Sequence, residues 1–401
     1  MIVISEELIK RLAVSSGAND AHFLFQDEGD VYSNLLGREK GIDSVPGTIY
    51  VTNEPVNEPF SGWGKENDMV RVIVRGCPKS TSESFINASF EVTGFVRKES
   101  GWKKTRVEIL PVRDKIFSRR KGIIETDALA GKKVFIAGLG SGGSTIAVEL
   151  AKSGVMDFSL MDGDRIEIVN VMRHEAGLPD VGRYKTKFMA DKIHEKNPYA
   201  EVKIWQEKVS GENIELIIDI VRRSDIVICA TGDRPSKLTL SRICVEENKP
   251  CLLAGMFRRA YGGQILFVRP GISPCYQCFL MNLPDVAQDQ EISSQAQAEN
   301  LSYTDLVVPI EPGLSTDIAP VSLMVVKLVI QELLKGTETT LASLNDDLVA
   351  PLYFWLNRRE SGTQYEKLKP LEFNISGMHI LRWYGIAMER HPNCPVCGEL
   401  Y

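Results

Sequence analysis

The sequence predicts an α/β protein: a doubly wound, mostly parallel sheet over residues 118–401, preceded by a smaller α+β domain over residues 1–117. Three observations carry this. From Lys132 onward, apolar runs of strand length alternate with amphipathic runs of helix length, the pattern of parallel strands joined by crossover helices. The first of those strands runs straight into a glycine cluster that opens a helix. A chain of 401 residues, 43% apolar and 25% charged, is long enough for two cores and has the make-up of a globular protein.

Taken in order, the opening ISEELIKRLAV is amphipathic, and a Gly/Asn/Pro-rich stretch (GREKGIDSVPG, then NEPVNEPFSGWG) follows it. Short β-like runs at MVRVIVRG, SFEVTGFV and TRVEILPV complete the first lobe. After the basic SRRKG the period changes. KKVFIAGLG reads as a strand, STIAVELAKSG as a helix, FSLMDGD as a strand, KTKFMADKIHEKNP as a helix and AEVKIWQ as a strand. The series continues with ELIIDIVRR (helix), DIVICATGD (buried strand), KLTLSRICVEEN (helix) and CLLAG (strand), and ILFVRPG leads into a cysteine pair. Residues 282–312 are polar and weakly periodic, which predicts a long segment over the site. PVSLMVVKLVIQELLKG is a strongly apolar helix, buried or at a subunit interface, and the remainder to Tyr401 is β-like.

Composition excludes several function classes. A net charge of -6 gives no attraction to nucleic acid or an anionic membrane. No apolar run approaches the ~20 residues needed to span a bilayer, and the acidic, amphipathic start is unlike a secretion signal. A cytoplasmic location is expected. Eight cysteines are too sparse for a disulfide scaffold. Four of them form two C-x-x-C pairs, Cys275/Cys278 and Cys394/Cys397, a donor set for a closed tetrahedral zinc site that would staple the C-terminal tail to the domain. Cys229, Cys244 and Cys251 lie in apolar contexts and read as buried, whereas Cys77, ahead of a proline, is the one candidate nucleophile outside the core.

The glycine turn Gly138-Leu139-Gly140-Ser141-Gly142-Gly143 allows backbone N–H groups at a helix N-terminus to approach a nucleotide's phosphates. Asp162, at the end of the next strand, is placed to accept hydrogen bonds from ribose hydroxyls. To this point NAD and ATP both fit. Asp164 adds a second carboxylate, which would repel a dinucleotide pyrophosphate and suits Mg²⁺. Asn170, Arg173 and Lys185 then supply donors for a triphosphate tail, and Asp233 puts a carboxylate at a third strand end.

The ordered run GLGSGG, D-x-D-x-x-x-x-x-N-x-x-R-H, DVGRYK, Asn197-Pro198, ATGD and the paired C-x-x-C motifs resembles the ThiF/MoeB/HesA family, relatives of the ubiquitin-activating enzymes, over about residues 118–401. The resemblance implies a Rossmann-like adenylation domain that binds Mg·ATP and adenylates the C-terminal carboxylate of a ubiquitin-like protein or peptide. On the matching positions, Asp162 would hold the ribose, Asn170, Arg173 and Lys185 the phosphates, and Asp233 the Mg²⁺, with Asp164 in support. Structural zinc on the four paired cysteines and a homodimer are also implied, with Arg119 or Arg120 reaching the neighbouring subunit's ATP. His174 replaces the family's usual glutamine after the arginine. Residues 282–320 contain no cysteine, unlike relatives that form a thioester there, so the acyl-adenylate is expected to pass directly to a conjugating enzyme or sulfur-transfer partner.

The first lobe carries no catalytic signature. His22 is its one histidine, too few for a metalloprotease of the JAB type, and a docking role is expected, with Trp63 and Trp102 as surface aromatics or half-buried packing. Arg258 and Arg259, in GMFRRAYGG, read either as steering cations or as an exposed charged turn. Two further function classes stay open on sequence: an NAD(P)-dependent oxidoreductase, and a degenerate nucleotide-binding scaffold.

Overall fold

A computed structural model describes residues 1–13, 17–26, 30–35, 44–53, 62, 64–76, 91–124, 127–283, 313–369 and 377–398. The chain divides into two compact units, Met1–Arg119 and Arg120–Tyr401. Cys77, Trp63 and the polar segment from residue 284 to 312 lie outside the described residues.

The first unit holds β1 (Ile2–Ser5), α1 (Glu6–Ala13), β2 (Gly17–Gln26), β3 (Val31–Asn34), β4 (Ser44–Thr52), β5 (Val70–Arg75), β6 (Glu91–Lys98), β7 (Gly101–Thr105), β8 (Val107–Leu110) and α2 (Val112–Ile116). The eight strands form one mixed sheet in the order β7-β6-β5-β4-β2-β3-β1-β8. Leu8, Ile9 and Ala13 of α1 bury against Phe23, Ile49, Val70 and Val72. The opening that the sequence shows as amphipathic starts as a strand: residues 2–5 are all apolar or small and are buried between β3 and β8 before the helix begins. Trp102 is half-buried, with the Arg71 guanidinium 4.7 Å above its ring.

The second unit contains β9 (Lys133–Ala137), α3 (Ser141–Ser153), β10 (Asp157–Met161), α4 (Lys185–Lys196), β11 (Glu201–Trp205), α5 (Ile214–Arg223), β12 (Ile226–Cys229), α6 (Arg234–Glu246), β13 (Cys251–Met256), β14 (Gly262–Val268), α7 (Tyr276–Met281), α8 (Ser315–Leu333), β15 (Leu352–Leu356) and β16 (Trp383–Ile386). Its sheet runs β11-β10-β9-β12-β13-β14-β15-β16. The first five are mutually parallel, and β14, β15 and β16 add antiparallel neighbours.

Strand periodicity divides the core between two faces. Val134 and Ile136 of β9 pack with α3, α4 and α8 on one side, whereas Phe135 and Ala137 pack with α5, α6 and α7 on the other. The sheet is therefore covered twice, which is why its central strands are apolar at nearly every position. α8 begins five residues before the Pro320 at which the sequence suggests its start. Proline there forfeits only the bond to the Thr316 carbonyl, a loss that burial of Ile318, Val321, Val325 and Leu328 outweighs. Among the described residues, no helix is long and apolar enough to cross a membrane.

Candidate functional site

In an open parallel sheet, ligands sit where crossovers leave in opposite directions, at the carboxyl ends of the strands. That point here is the end of β9, whose neighbours β10 and β12 continue to either side. The glycine turn after β9 is shaped by two contacts. Gly138 has φ +89°, and a Cβ on it would lie 2.8 Å from the Ala230 carbonyl. A Cβ on Gly143 would overlap the Gly138 carbonyl oxygen. Gly140, by contrast, faces open space and caps α3, a helix whose first N–H groups are free of intrahelical partners.

A cavity of about 270 Å³ opens beside this turn. Gly138, Gly140, Asp162, Asp164, Lys185 and Asp233 all line it, six of the residues singled out by sequence. Asp162 is nearly buried: its carboxylate accepts the Leu139 N–H at 2.7 Å and the Asp164 N–H at 2.8 Å, tying the end of β10 to the glycine turn. Burial pushes its carboxyl above the ordinary value, against the pull of Lys185, 3.9 Å away. Asp164 shifts the opposite way. Burial raises it too, but Lys185 at 2.8 Å and Lys208 at 3.3 Å outweigh burial and hold it below the ordinary range. Lys185 is the first residue of α4, so the helix start aims its ammonium at the two carboxylates. Asp233 caps α6, accepting the Ser236 N–H at 2.8 Å, and its remaining oxygen capacity is available to the cavity it lines.

A second cavity, of about 260 Å³, shares the Ala230–Thr231–Gly232 wall with the first. Gly142, Arg173, Arg258 and Arg259 line this one. Gly143 lines neither cavity and serves the turn itself. Asn170 lines neither as well: its side-chain oxygen accepts the Glu167 N–H at 3.0 Å and closes a short 3₁₀ turn over Ile168–Asn170. That turn carries the chain into Arg173 and His174, whose N–H groups both bond the Asn170 carbonyl. His174 is buried under the glycine turn. Its Nδ1 accepts the Ala176 N–H at 3.0 Å, which leaves the proton on Nε2 to donate to the Leu139 carbonyl at 2.8 Å. Burial lowers its pKa, so the neutral ring is the stable form.

The sulfur atoms of Cys275, Cys278, Cys394 and Cys397 all lie within 4.8 Å of one another. The closest pairs stand at 3.3, 3.5 and 3.9 Å. Sulfurs around a tetrahedral zinc with ~2.3 Å bonds stand about 3.8 Å apart, so the donor set fits such an ion and lies far beyond the ~2.05 Å of a disulfide. The His391 and Val396 N–H groups point at Cys278 and Cys394 sulfurs, at 3.3 and 3.5 Å, as second contacts that orient thiolate ligands. Cys229, Cys244 and Cys251 are fully buried, and burial pushes the Cys229 thiol up to about 12.

The model of the ThiF family matches residues 116–394. The chain belongs to the ThiF family. A maize relative, adenylyltransferase and sulfurtransferase MOCS3-1 (Zea mays), is 33% identical over 170 residues, which are 41% of this chain and 34% of that protein, so the match spans about a third of the relative's length. The sulfur carrier protein ThiS adenylyltransferase of Escherichia coli is 25% identical over 67% of this chain and 87% of its own. Among solved structures, E. coli MccB with ATP is 21% identical, covers 68% of each chain and has a TM-score of 0.48.

Within this ThiF-family unit, the two basic residues before β9 go separate ways. The Arg120 guanidinium bonds the Ser153 carbonyl at the C-terminal end of α3, whereas Arg119 is exposed. Three charged lining residues escaped the sequence reading: Glu207 and Lys208, just past β11, and Lys237 in α6. The first two sit in a polar stretch with no period, and only the parallel pairing of β11 with β10 brings them to Asp164.

Proposed function

We propose that the cleft binds Mg·ATP and that the chain adenylates the C-terminal carboxylate of a ubiquitin-like protein, a sulfur carrier or a peptide. The observation that carries this reading is the convergence of Asp162, Asp164–Lys185 and Asp233 on the glycine turn, in a cleft that shares a wall with a second cavity bordered by cations. A dinucleotide reading leaves those cations without a task; a triphosphate uses them.

A terminal carboxylate is an anion at pH 7 and needs no general base. One of its oxygens bonds to the α-phosphorus, the bond from that phosphorus to the bridging oxygen breaks, and pyrophosphate leaves. In this reading Asp162 anchors the ribose while Lys185, held by Asp164 before substrate arrives, and Arg173 meet the phosphates. Asp233 is the residue to hold Mg²⁺, which when bound neutralises charge on the polyphosphate. The four paired cysteines hold structural zinc and take no part in the reaction. A homodimer also fits: Ile168, Met172 and Leu178, which flank Arg173 in the chain, are all exposed apolar side chains that a second copy would cover. Arg119, the exposed one of the basic pair, is then the candidate to reach a neighbour's ATP. The first unit is assigned to recognition of the substrate protein or of the conjugating or sulfur-transfer partner.

ATP–pyrophosphate exchange tests the reading. Wild-type chain with its carboxylate substrate should exchange label, and Asp233→Ala should reduce the rate by about 10²-fold or more, the scale of losing a charge-stabilising group. Exchange that survives the substitution would remove Asp233 from the site.

A further inference from the structure

The second cavity is bordered by several cations. Arg173, Lys237, Arg258 and Arg259 border it, as do Ser141 and Gly142 at the start of α3, and among its described lining residues there is no carboxylate. The acidic side chains all border the first cavity. Arg258 and Arg259 are delivered by an unusual piece of backbone: Arg259 has φ +56° and Ala260 φ +51°, two successive non-glycine residues in the left-handed region. Such conformations are disfavoured for residues with a Cβ and persist only where surrounding groups hold them.

Those groups are identifiable. Asn357 Nδ2 donates to the Ala260 carbonyl at 2.8 Å and to the Asp317 carbonyl at 2.9 Å. Arg358 donates to the Arg259 carbonyl at 2.5 Å and to the Asp317 carboxylate at 2.9 Å. Glu360 takes the Arg259 guanidinium at 2.6 Å. Arg258 and Arg259 are both exposed and both line the cavity, Arg259 while paired with Glu360. Gly313 lies near both this turn and Arg173: a Cβ on it would stand 3.1 Å from the Ala260 Cβ and 3.6 Å from Arg173 Nη1.

We propose that Arg258 is a phosphate-binding residue supplied by the chain itself, contacting the terminal phosphates of ATP, and the pyrophosphate they become, once these cross the Thr231–Gly232 wall. The inference rests on the ATP reading but not on the acyl substrate. The shared chemistry is anionic oxygen, which the substrate's carboxylate also offers; continuity with Ser141, Gly142 and Arg173 favours phosphate.

Equilibrium titration of the full chain in Mg²⁺ tests it, with ATP, inorganic pyrophosphate, AMP and the carboxylate probe glycylglycine. Arg258→Ala should weaken ATP and pyrophosphate by roughly tenfold or more, leave AMP within about twofold, and Arg258→Lys should recover part of the loss. Unchanged ATP affinity would overturn the assignment. So would a parallel loss of AMP, which marks a turn that only shapes the cleft, or a selective loss of glycylglycine, which hands Arg258 to the carboxylate. If wild-type chain binds ATP no better than AMP, the ATP reading fails and this inference with it. If it prefers ATP yet supports no exchange, adenylation fails and Arg258 keeps its role.

Discussion

His174 shows how one side chain links sequence, turn geometry and pH. Its ring is fixed between the Leu139 carbonyl and the Ala176 N–H, a pairing that only the neutral ring makes. With the folded pKa held below the ordinary value of 6.5, the unfolded chain binds more protons near that pH. The contribution is therefore complete above pH ~6.5 and is lost as pH falls from there through the lowered folded value. Denaturant unfolding at pH 7.5 and 5.5 should show wild type losing more stability on acidification than His174→Gln, which has no titrating ring; equal losses would refute the neutral-ring assignment. The residue type was legible in sequence as a departure from the family's glutamine. Its partners were not, because Leu139 lies 35 positions away and meets it only when the turn closes.

At the scale of elements, the glycine turn separates two duties that look alike in sequence. Gly143 exists for close approach to the Gly138 carbonyl, whereas Gly140 has open space around it and faces the cleft. Gly143→Ala should cost about 1–3 kcal/mol in thermal or denaturant unfolding, the range for overpacking a tight site. Gly140→Ala should unfold at nearly the wild-type midpoint while weakening ATP in the same titration. Equal stability losses in both variants would mean the turn is not divided in this way. The strands and helices around it follow the reading element by element, since a doubly covered sheet imposes long apolar runs. In the first lobe β1, β2, β3, β4 and β7 escaped it: GANDAHFLFQ and SVPGTIYVT mix polar, glycine and proline positions, and their pairing rests on register with neighbours far along the chain.

For the whole molecule, the cysteine cluster decides where the C-terminal tail lies. Cys275 and Cys394 are 119 positions apart, so an ion on the four sulfurs closes a loop of that order. Cross-linking a loop of ~100 residues restricts the unfolded chain by about 4–5 kcal/mol in the entropic model. Elemental analysis should find one zinc per chain; stripping it with a chelator, or Cys394→Ser, should lower the unfolding midpoint by several degrees. A metal-free chain with an unchanged midpoint would sink the staple.

The sequence by itself determined the α/β class, the order of elements in the second unit, the family, the glycine turn and the four paired thiols. Each is written in local period or short spacing, which one backbone segment enforces alone. Only the tertiary structure decided that Asp162 ties β10 to the turn, that Lys208 joins Lys185 on Asp164, that Arg120 turns to α3 while Arg119 stays exposed, and that Arg258 borders the same cavity as Arg173. Those are matters of which segments meet, and a meeting between segments has no signature in the spacing of either one.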